Sequence, residues 1–329
     1  MPLSQKITKV LHNINYSLER LIPVTTPLGV VLGFLLPGVF IHLRPFVPWL
    51  FGVMTFSGAL KLRTAEFGET IRSPAPIILF FAAAHVLMPL AAMLTSSLFF
   101  TSSDLVVGFV LLFSGPTAVS GFIWTSILKG DKALCLTLIL LDTLLAPLVV
   151  PGTVSVLMGA KTAMDMSGIA ISLLLMVVVP TIIGVAINEA SRGKIPALAC
   201  PYLDPVSKVC LMLVIAANTS PVAPGIRFND SLVWKAAFFV ILLTVAGFLL
   251  VKLVAVIGKC RSPKDITLVI SGGLKNNSAV LTIAVAFFPE AAALPTLLSI
   301  VFQQTIAAVI GKLLIRKANG GKLEVKNYG

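Results

Sequence analysis

The fold of this chain is decided by one stretch, Ser271-Gly272-Gly273-Leu274-Lys275-Asn276-Asn277-Ser278-Ala279-Val280-Leu281. It interrupts an apolar segment, Ile266 to Phe288, whose 23 residues are enough to cross a bilayer. A lysine near the bilayer centre costs about 2.5–3.5 kcal/mol even on the lenient insertion scale. Freed backbone and amide groups are tolerated at that depth only when they are buried in protein or line a wet cavity. We therefore interpret the stretch as the break of an interrupted membrane helix at a binding site.

The composition of the whole chain is that of a polytopic membrane protein. Of its 329 residues, 57 % are hydrophobic and only 12 % are charged, and the mean hydropathy is +1.01. A soluble domain carries about 25 % charged residues. The first 20 residues are polar and show no cleavable signal peptide. The four cysteines have no metal or redox spacing, so we predict neither a metal site nor a cofactor.

Ten apolar segments are predicted to cross the membrane. Their approximate bounds are 25–41, 46–60, 75–98, 105–128, 133–158, 167–188, 205–220, 233–257, 266–288 and 292–315. The preceding residues, 1–24, have helical apolar spacing with basic residues elsewhere on the helix. This pattern predicts an amphipathic helix in the membrane interface or, alternatively, one packed on cytoplasmic loops. The last residues, 316–329, are predicted to form a cytoplasmic tail.

The distribution of basic residues predicts the orientation. Of 25 Lys and Arg, 20 lie in the N-terminal segment, the even-numbered loops and the C-terminal tail, and four lie in the odd-numbered loops. Cytoplasmic loops carry the excess of positive charge. We therefore predict that both termini are cytoplasmic and that the chain lies in the inner (plasma) membrane. The net charge of +12 is then explained by topology, and no nucleic-acid partner is predicted.

A second break lies in the fourth segment. Leu111–Gly121 and Leu268–Ser278 both read as an apolar run, a Ser-Gly pair and helix-breaking residues, and a further apolar run follows each. The two lie five segments apart, an odd number, which predicts inverted repeats over residues 25–158 and 159–315. Paired broken helices in inverted halves indicate a secondary transporter with a site near the midplane. The alternative is that both breaks are kinks that only allow close packing.

The predicted segments contain very few charged residues. Away from the segment ends, Asp142 in the fifth segment is the one acid and Lys275 in the ninth is the one base. Each is costly alone in a membrane and pairing lowers the cost, although the sequence does not show that the two meet. His85 in the third segment is interpreted as a satisfied core residue, with a coupling role as the alternative.

With the residues that follow them, the two breaks resemble the bile acid:sodium symporter (BASS) family over about residues 45–315. The matching motifs are Gly115-Pro116-Thr117-Ala118, Leu128-Lys129-Gly130-Asp131, Ala146-Pro147-Leu148-Val149-Val150-Pro151, Gly273–Ser278, Leu294-Pro295, Phe302-Gln303-Gln304, Pro48–Gly52 and Met88-Pro89. The resemblance implies an all-α fold of ten helices, with a panel domain and a core domain and two helices that cross at their breaks. It further implies uptake of organic anions, usually coupled to sodium.

The chain departs from this family at the sodium ligands. Sodium-coupled members have a glutamate and, four residues on, a glutamine, where this chain has Ser271 and Lys275. The other ligand positions correspond here to Ala84, Gly121, Phe122, Cys135 and Ile139. Sodium prefers several hard oxygen ligands, and the anionic one is missing. We therefore predict a bacterial-type member in which sodium does not drive transport.

Lys275 is predicted to replace the ion. An ammonium group on a flexible stem can occupy the place of a cation, and unlike sodium it can lose a proton. The predicted coupling residues are Lys275, Asp142, His85 and Ser271. A proton is predicted to be the coupling ion in place of sodium. The alternative interpretation is that Lys275 and Asp142 form a purely structural ion pair.

The resemblance also implies substrate contacts at the crossing. The candidate substrate-binding residues are Thr117, Ser120, Asn276, Asn277, Gln303 and Gln304. Helix ends exposed at the breaks supply N–H groups, which favour a carboxylate.

These features together predict a secondary active transporter of a small organic anion that works by alternating access and is proton-coupled or uncoupled. A sodium symporter with altered ion ligands is the alternative, and a pore is a third interpretation. No His/Asp/Glu cluster or Ser-His-Asp set lies within any apolar segment, so an enzyme is not predicted. The sequence does not identify the substrate or the oligomeric state.

Overall fold

The structure is a computed structural model that describes residues 25–62, 73–159 and 165–318, with side chains as far as residue 314. These ranges are helical except for turns, connections and one isolated β-bridge. The predicted amphipathic segment 1–24 lies outside the described residues. The same is true of the predicted tail 316–329, except for the backbone of residues 316–318.

Twelve helices follow one another along the described residues. They are α1 (Thr25–Leu35), α2 (Pro37–Ala59), α3 (Ala75–Phe99), α4 (Ser103–Ser114), α5 (Gly121–Ile127), α6 (Lys132–Met158), α7 (Met166–Ser191), α8 (Lys194–Thr219), α9 (Ser231–Ile257), α10 (Lys264–Gly273), α11 (Asn277–Phe287) and α12 (Leu294–Ala318). In this part of the chain, seven helices are long and apolar enough to cross a membrane: α2, α3, α6, α7, α8, α9, and α12 with the turn before it. The chain is therefore a helical, polytopic membrane protein.

Several helix starts follow directly from the local sequence. Ser102, Asp131, Asp165 and Asp230 each accept a hydrogen bond from a backbone N–H in the first turn of α4, α6, α7 and α9. The first N–H groups of a helix have no partner within the helix, so these side chains satisfy them.

The predicted boundary between the first two segments, at residues 42–45, falls in a 3-10 stretch within α2, Ile41–Phe46. The sequence did not predict the earlier break, where α1 ends at Leu35 and α2 starts at Pro37. Proline lacks the N–H needed to continue the preceding helix, and its fixed backbone angle suits the first position of a new one.

The predicted start of the seventh segment is wrong. The sequence places it at residue 205, whereas α8 begins at Lys194 and includes Pro201 and Pro205. The early polar residue, Asp204, is paired at 2.7 Å with Lys61, just after α2. Because its charge is compensated, the helix can extend through it.

Both predicted breaks lie between helices. The first separates α4 from α5 and the second separates α10 from α11. A Cβ atom on Gly115 would overlap Val280 of α11, and one on Gly273 would overlap the ring of Phe248 of α9. The glycines therefore let each break approach its neighbours more closely than any other residue would.

The main apolar core lies beside the breaks. Its buried side chains come from many helices and include Phe109, Val150, Leu173, Val214 and Ile283. Because α4 and α11 contribute to the same contiguous core, both breaks are attached to packed helices on at least one side.

Candidate substrate and coupling site

The two breaks meet and pair through their backbones. Thr117 and Lys275 form an antiparallel β-bridge. The N–H of Ala118 donates to the carbonyl of Leu274 at 3.0 Å, and the N–H of Asn276 donates to the carbonyl of Pro116 at 2.7 Å. Each break thus satisfies the backbone groups that the other leaves without a helical partner, which buried backbone requires.

Gln303 of α12 completes this pairing. Its Oε1 accepts from the N–H of Lys275 at 3.1 Å, and its Nε2 donates to the carbonyl of Lys275 at 2.9 Å. The side chain is 4 % exposed. The amide therefore pairs with the backbone N–H and carbonyl of Lys275 as a neighbouring β-strand would. The predicted contact of Gln303 with substrate stays a prediction.

Thr117 connects the first break to two helices. Its hydroxyl lies within hydrogen-bonding distance of the carbonyls of Ser271 and Leu274 in the second break. Its backbone N–H donates to Asp142 Oδ2 of α6 at 2.6 Å. The hydroxyl and the N–H of Thr117 are therefore both used within the protein.

Asp142 is fully buried, and the side chain paired with it is His85 of α3. His85 Nε2 lies 2.8 Å from Asp142 Oδ1. The two atoms are close but not aligned as a hydrogen bond, and Nδ1 of His85 has no partner among the described residues. The structure thus gives Asp142 a different partner from Lys275, with which it forms no ion pair in the described part of the chain.

The Lys275 ammonium reaches a backbone carbonyl instead. The residue is 3 % exposed, and its Nζ donates to the carbonyl of Ala84 at 3.0 Å. A π-helical turn, Ala82–Leu87, makes this carbonyl available, because there the N–H of Met88 reaches back to Ala83. The next nitrogen belongs to Pro89 and carries no hydrogen, so Ala84 has no N–H from that position. The sequence interpretation missed this role of Pro89.

Two of the positions that correspond to sodium ligands lie together. Ser271 Oγ donates to Cys135 Sγ at 3.6 Å, and Thr125 Oγ1 lies 3.4 Å from the same sulfur. A thiol sulfur is a weak acceptor and a soft ligand. The geometry therefore gathers these positions, but with donor atoms that suit sodium poorly.

A cavity of about 530 Å³ lies beside the crossing. Such a volume falls within the range of small-molecule sites, roughly 300–1,000 Å³. Of the residues predicted from the sequence, those that line the cavity are Ser120, Lys275, Asn276, Asn277, Gln303 and Gln304. Those that are not among its described lining residues are Thr117, His85, Asp142 and Ser271. The predicted substrate residues thus lie mostly at the cavity, and three of the four predicted coupling residues lie behind it.

Two polar side chains at the cavity, Asn276 and Gln304, already have partners in the protein. Asn276 Oδ1 caps α11 by accepting from the N–H of Ala279 at 3.2 Å. Since that oxygen is used, contact with a ligand falls to the amide nitrogen of Asn276, which is a donor. Gln304 accepts from Trp124 Nε1 at 2.9 Å and lies 3.4 Å from Ser120 Oγ.

Sequence reasoning missed another part of the cavity lining. There Lys61, just after α2, pairs with Asp204 of α8, and Ser57 Oγ donates to the same carboxylate at 3.3 Å. With Lys208 and Lys275, the charged residues among the described lining are three bases and one acid. The signal was present in the basic residues near the predicted segment ends, which the sequence interpretation used only for orientation.

Broken helices that meet at a cavity are an arrangement found in secondary transporters. The chain belongs to the Sodium Bile acid symporter family, whose model matches residues 48–227. The family predicted from the two breaks is therefore confirmed. Because this is a family of transporters, membership also supports the prediction that the chain is not an enzyme.

The chain is similar to relatives from bacteria and plants. It is 36 % identical over 295 residues to the uncharacterized protein YbaS of Bacillus subtilis (strain 168). The matched region covers 89 % of this chain and 96 % of that protein. It is 27 % identical over 268 residues to the uncharacterized sodium-dependent transporter YocS of the same organism. This match covers 81 % of this chain and 82 % of that protein. It is 24 % identical over 337 residues to the probable sodium/metabolite cotransporter BASS3, chloroplastic, of Oryza sativa subsp. japonica. This match covers 100 % of this chain and 76 % of that protein.

Proposed function

We propose that this chain is a secondary active transporter that carries a small organic anion by alternating access and is not driven by sodium. One observation carries the proposal: the buried Lys275 ammonium donates to the Ala84 carbonyl at the crossing of the two breaks. In this proposal Lys275 supplies from within the chain the positive charge that sodium supplies in sodium-coupled members of the family.

The chemistry of the crossing supports this role for Lys275. An ammonium group is a compact point charge with three donors, so it can contact carbonyl oxygens much as a bound cation does. Cys135 and Ser271 offer a sulfur and a hydroxyl where sodium needs hard, anionic oxygen. A lysine is covalently attached and cannot be carried across the membrane as sodium is. Coupling to an ion gradient would therefore have to use the proton of Lys275 or a proton on a neighbouring side chain.

The cavity supports an anionic substrate. The first residues of α11 line it, and a helix N-terminus carries partial positive charge that favours a carboxylate. Asn276 and Gln304 border the cavity as neutral amides, which orient a ligand without fixing its charge. Apolar side chains such as Phe51, Leu211 and Ile215 line other parts of it and favour a substrate with an apolar body.

We further propose that the chain crosses the inner (plasma) membrane ten times with both termini in the cytoplasm. The seven long helices, the short apolar α1 and the two broken pairs α4–α5 and α10–α11 would provide these crossings. In this arrangement residues 25–158 and 159–315 are inverted repeats, and a core domain carries the crossing while a panel domain faces it across the cavity.

A sodium-coupled organic anion symporter with altered ion ligands is the second candidate. It is favoured by the names of two relatives, which describe a sodium-dependent transporter and a sodium/metabolite cotransporter. The two candidates differ in whether sodium is needed for substrate to bind.

Thermal unfolding of the purified protein tests the proposal. A collection of metabolites is screened with sodium and again with sodium replaced by choline. A ligand at about 100 times its Kd stabilises the folded state by about 2.7 kcal/mol, enough to shift the unfolding temperature measurably. We expect organic anions to stabilise the protein equally in both buffers. A ligand that stabilises it only in sodium would support the second candidate and contradict the first.

A further inference from the structure

The crossing holds three buried titratable groups of which the proposed function uses one. His85, Asp142 and Lys275 are 6 %, 0 % and 3 % exposed. They come from α3, from α6 and from the break between α10 and α11. Buried charges within a membrane are costly, so the charge of this group must be considered as a whole.

Within this group, His85 and Asp142 are in direct contact, and Asp142 and Lys275 each contact a backbone group nearby. Asp142 Oδ1 lies 2.8 Å from His85 Nε2, and its Oδ2 accepts from the Thr117 N–H at 2.6 Å. Lys275 donates to the carbonyl of Ala84, the residue before His85. One carboxylate therefore touches an imidazole on one side and the first break on the other.

No other charged side chain contacts this imidazole in the described part of the chain. Phe81 stacks on the His85 ring at 5.4 Å and Phe80 meets it edge-on at 6.0 Å. The charged or thiol-bearing residues of the other helices packed on this turn are Asp104 of α4, Lys132 and Cys135 of α6, Lys235 and Lys252 of α9, and Lys264 and Asp265 of α10. Of these, Lys235 bonds to the carbonyl of Phe99, Lys252 pairs with Asp265, and Cys135 contacts Ser271.

The count of charges distinguishes two states. With Asp142 ionised, Lys275 protonated and His85 neutral, the group has no net charge. In the neutral imidazole, Nε2, which faces the ionised carboxylate, carries the ring hydrogen, so Nδ1 is the basic atom. Nδ1 has no partner among the described residues, and an added proton there makes the net charge +1. An imidazole changes charge near neutral pH, whereas an ammonium fixed on a carbonyl keeps its proton more readily there.

We propose that His85 binds the exchangeable proton of the transport cycle, that Asp142 is its fixed counter-ion, and that Lys275 stays charged as the built-in cation. This proposal rests on the proposed function, because it names the proton site of a carrier that does not use sodium. One proton is taken up on Nδ1 from one side of the membrane and released from the same atom to the other side.

The same contacts connect the proton to the break. A proton on Nδ1 makes the ring an imidazolium whose Nε2–H faces Asp142 Oδ1, and negative charge on the carboxylate is drawn towards it. The bond from the Thr117 N–H to Oδ2 is thereby weakened. Thr117 is bridged to Lys275, and Ser120 three residues later lines the cavity. The protonation state of His85 is thus transmitted to the walls of the substrate cavity.

The test uses protons alone as the probe, on the full-length protein in nanodiscs. The chain has three histidines, His12, His42 and His85, so histidine-labelled protein gives a simple NMR spectrum. The signals are assigned with His12→Gln, His42→Gln and His85→Gln. The Thr117 amide is followed in the same pH series, and exposed His42 provides the matched control.

We expect the His85 ring signals to change with pH and the Thr117 amide signal to move with the same midpoint. Asp142→Asn should weaken proton binding at His85 about tenfold or more, because the counter-ion is removed. In His85→Gln the Thr117 signal should not change over the pH series, while His42→Gln behaves like the parent. A His85 that does not titrate, or a Thr117 amide that ignores its titration, overturns the proposal even if Asp142→Asn fails to fold. Sodium-independent ligand binding is measured separately, so that result leaves the proposed function standing.

Discussion

The backbones of Thr117 and Lys275 form an antiparallel bridge although the two residues lie in different halves of the chain. Each is held by a further group: Thr117 by the Asp142 carboxylate, and Lys275 by the amide of Gln303 and the carbonyl of Ala84. Neither break can therefore move without disturbing the other. This gives one physical route by which a change of charge at the crossing reaches the substrate cavity.

Replacing Lys275 should abolish accumulation of substrate while leaving some downhill exchange. Lys275→Gln removes the positive charge at the Ala84 carbonyl but keeps a donor of similar length. Lys275→Arg should also be poor, because the planar guanidinium does not fit where a compact ammonium sat. The measurement is uptake and exchange in proteoliposomes, using a ligand found by thermal unfolding.

Lys194→Gln is the matched control, because Lys194 is exposed at the start of α8. It should accumulate substrate like the parent. Parental accumulation by both Lys275 variants would make the lysine a structural residue and would remove the basis of the proposed mechanism.

Asn276 is expected to have two separable roles. Asn276→Ala removes both the amide donor and the cap on α11, so binding should weaken and the protein should lose about 1 kcal/mol of stability. Asn276→Ser keeps an oxygen that can cap the helix but has no amide. It should therefore retain stability and still bind substrate about ten- to a hundredfold more weakly, the usual cost of one hydrogen bond to a charged group.

Adding Gln304→Ala to Asn276→Ser should weaken binding further. Isothermal titration measures the affinity and thermal unfolding measures the stability of each variant. If Asn276→Ser bound every ligand with parental affinity, the substrate site would lie elsewhere in the cavity.

The glycine at the end of α10 should be intolerant of a larger side chain. Gly273→Ala would drive a methyl group into the ring of Phe248, and overpacking of this kind costs about 1–3 kcal/mol. Gly121→Ala is the matched control, because a Cβ there meets nothing within 4 Å. Thermal unfolding should therefore separate the two variants. Equal stability of both would show that the second break packs less tightly against α9.

The proposed topology predicts where reporter fusions will be active. Alkaline phosphatase fused after Gly159, between the fifth and sixth predicted segments, should be active because that loop lies outside the cytoplasm. A fusion after Lys322 in the predicted tail should be inactive. An active fusion at Lys322 would reverse the proposed location of the C-terminus.

Part of the site could be predicted from the sequence because its signals are local. Adjacent glycines and a lysine within an apolar segment are visible without knowing the fold, and they identify the second break. The Ser-Gly pair at Ser114 and Gly115 identifies the first break in the same way. Positions near these residues therefore lie at the crossing, as most of the substrate candidates do.

The partners of the buried charges could not be predicted. Which side chain meets Asp142 depends on how α3 and α6 pack, and one sequence carries no signal for that pairing. The availability of the Ala84 carbonyl depends on a π-helical turn whose only local sign is Pro89. Helix periodicity treats the third segment as regular, so it placed His85 among core residues and left the Lys275–Asp142 pair open.

Uptake into proteoliposomes with the external sodium replaced tests the central claim most directly. The account predicts that a ligand found by thermal unfolding is taken up at the same rate in sodium, potassium or choline, because Lys275 already supplies the cation at the crossing. A steep dependence on sodium, with a Hill coefficient of about two, would show that sodium ions bind and drive transport despite the altered residues, and would contradict the account.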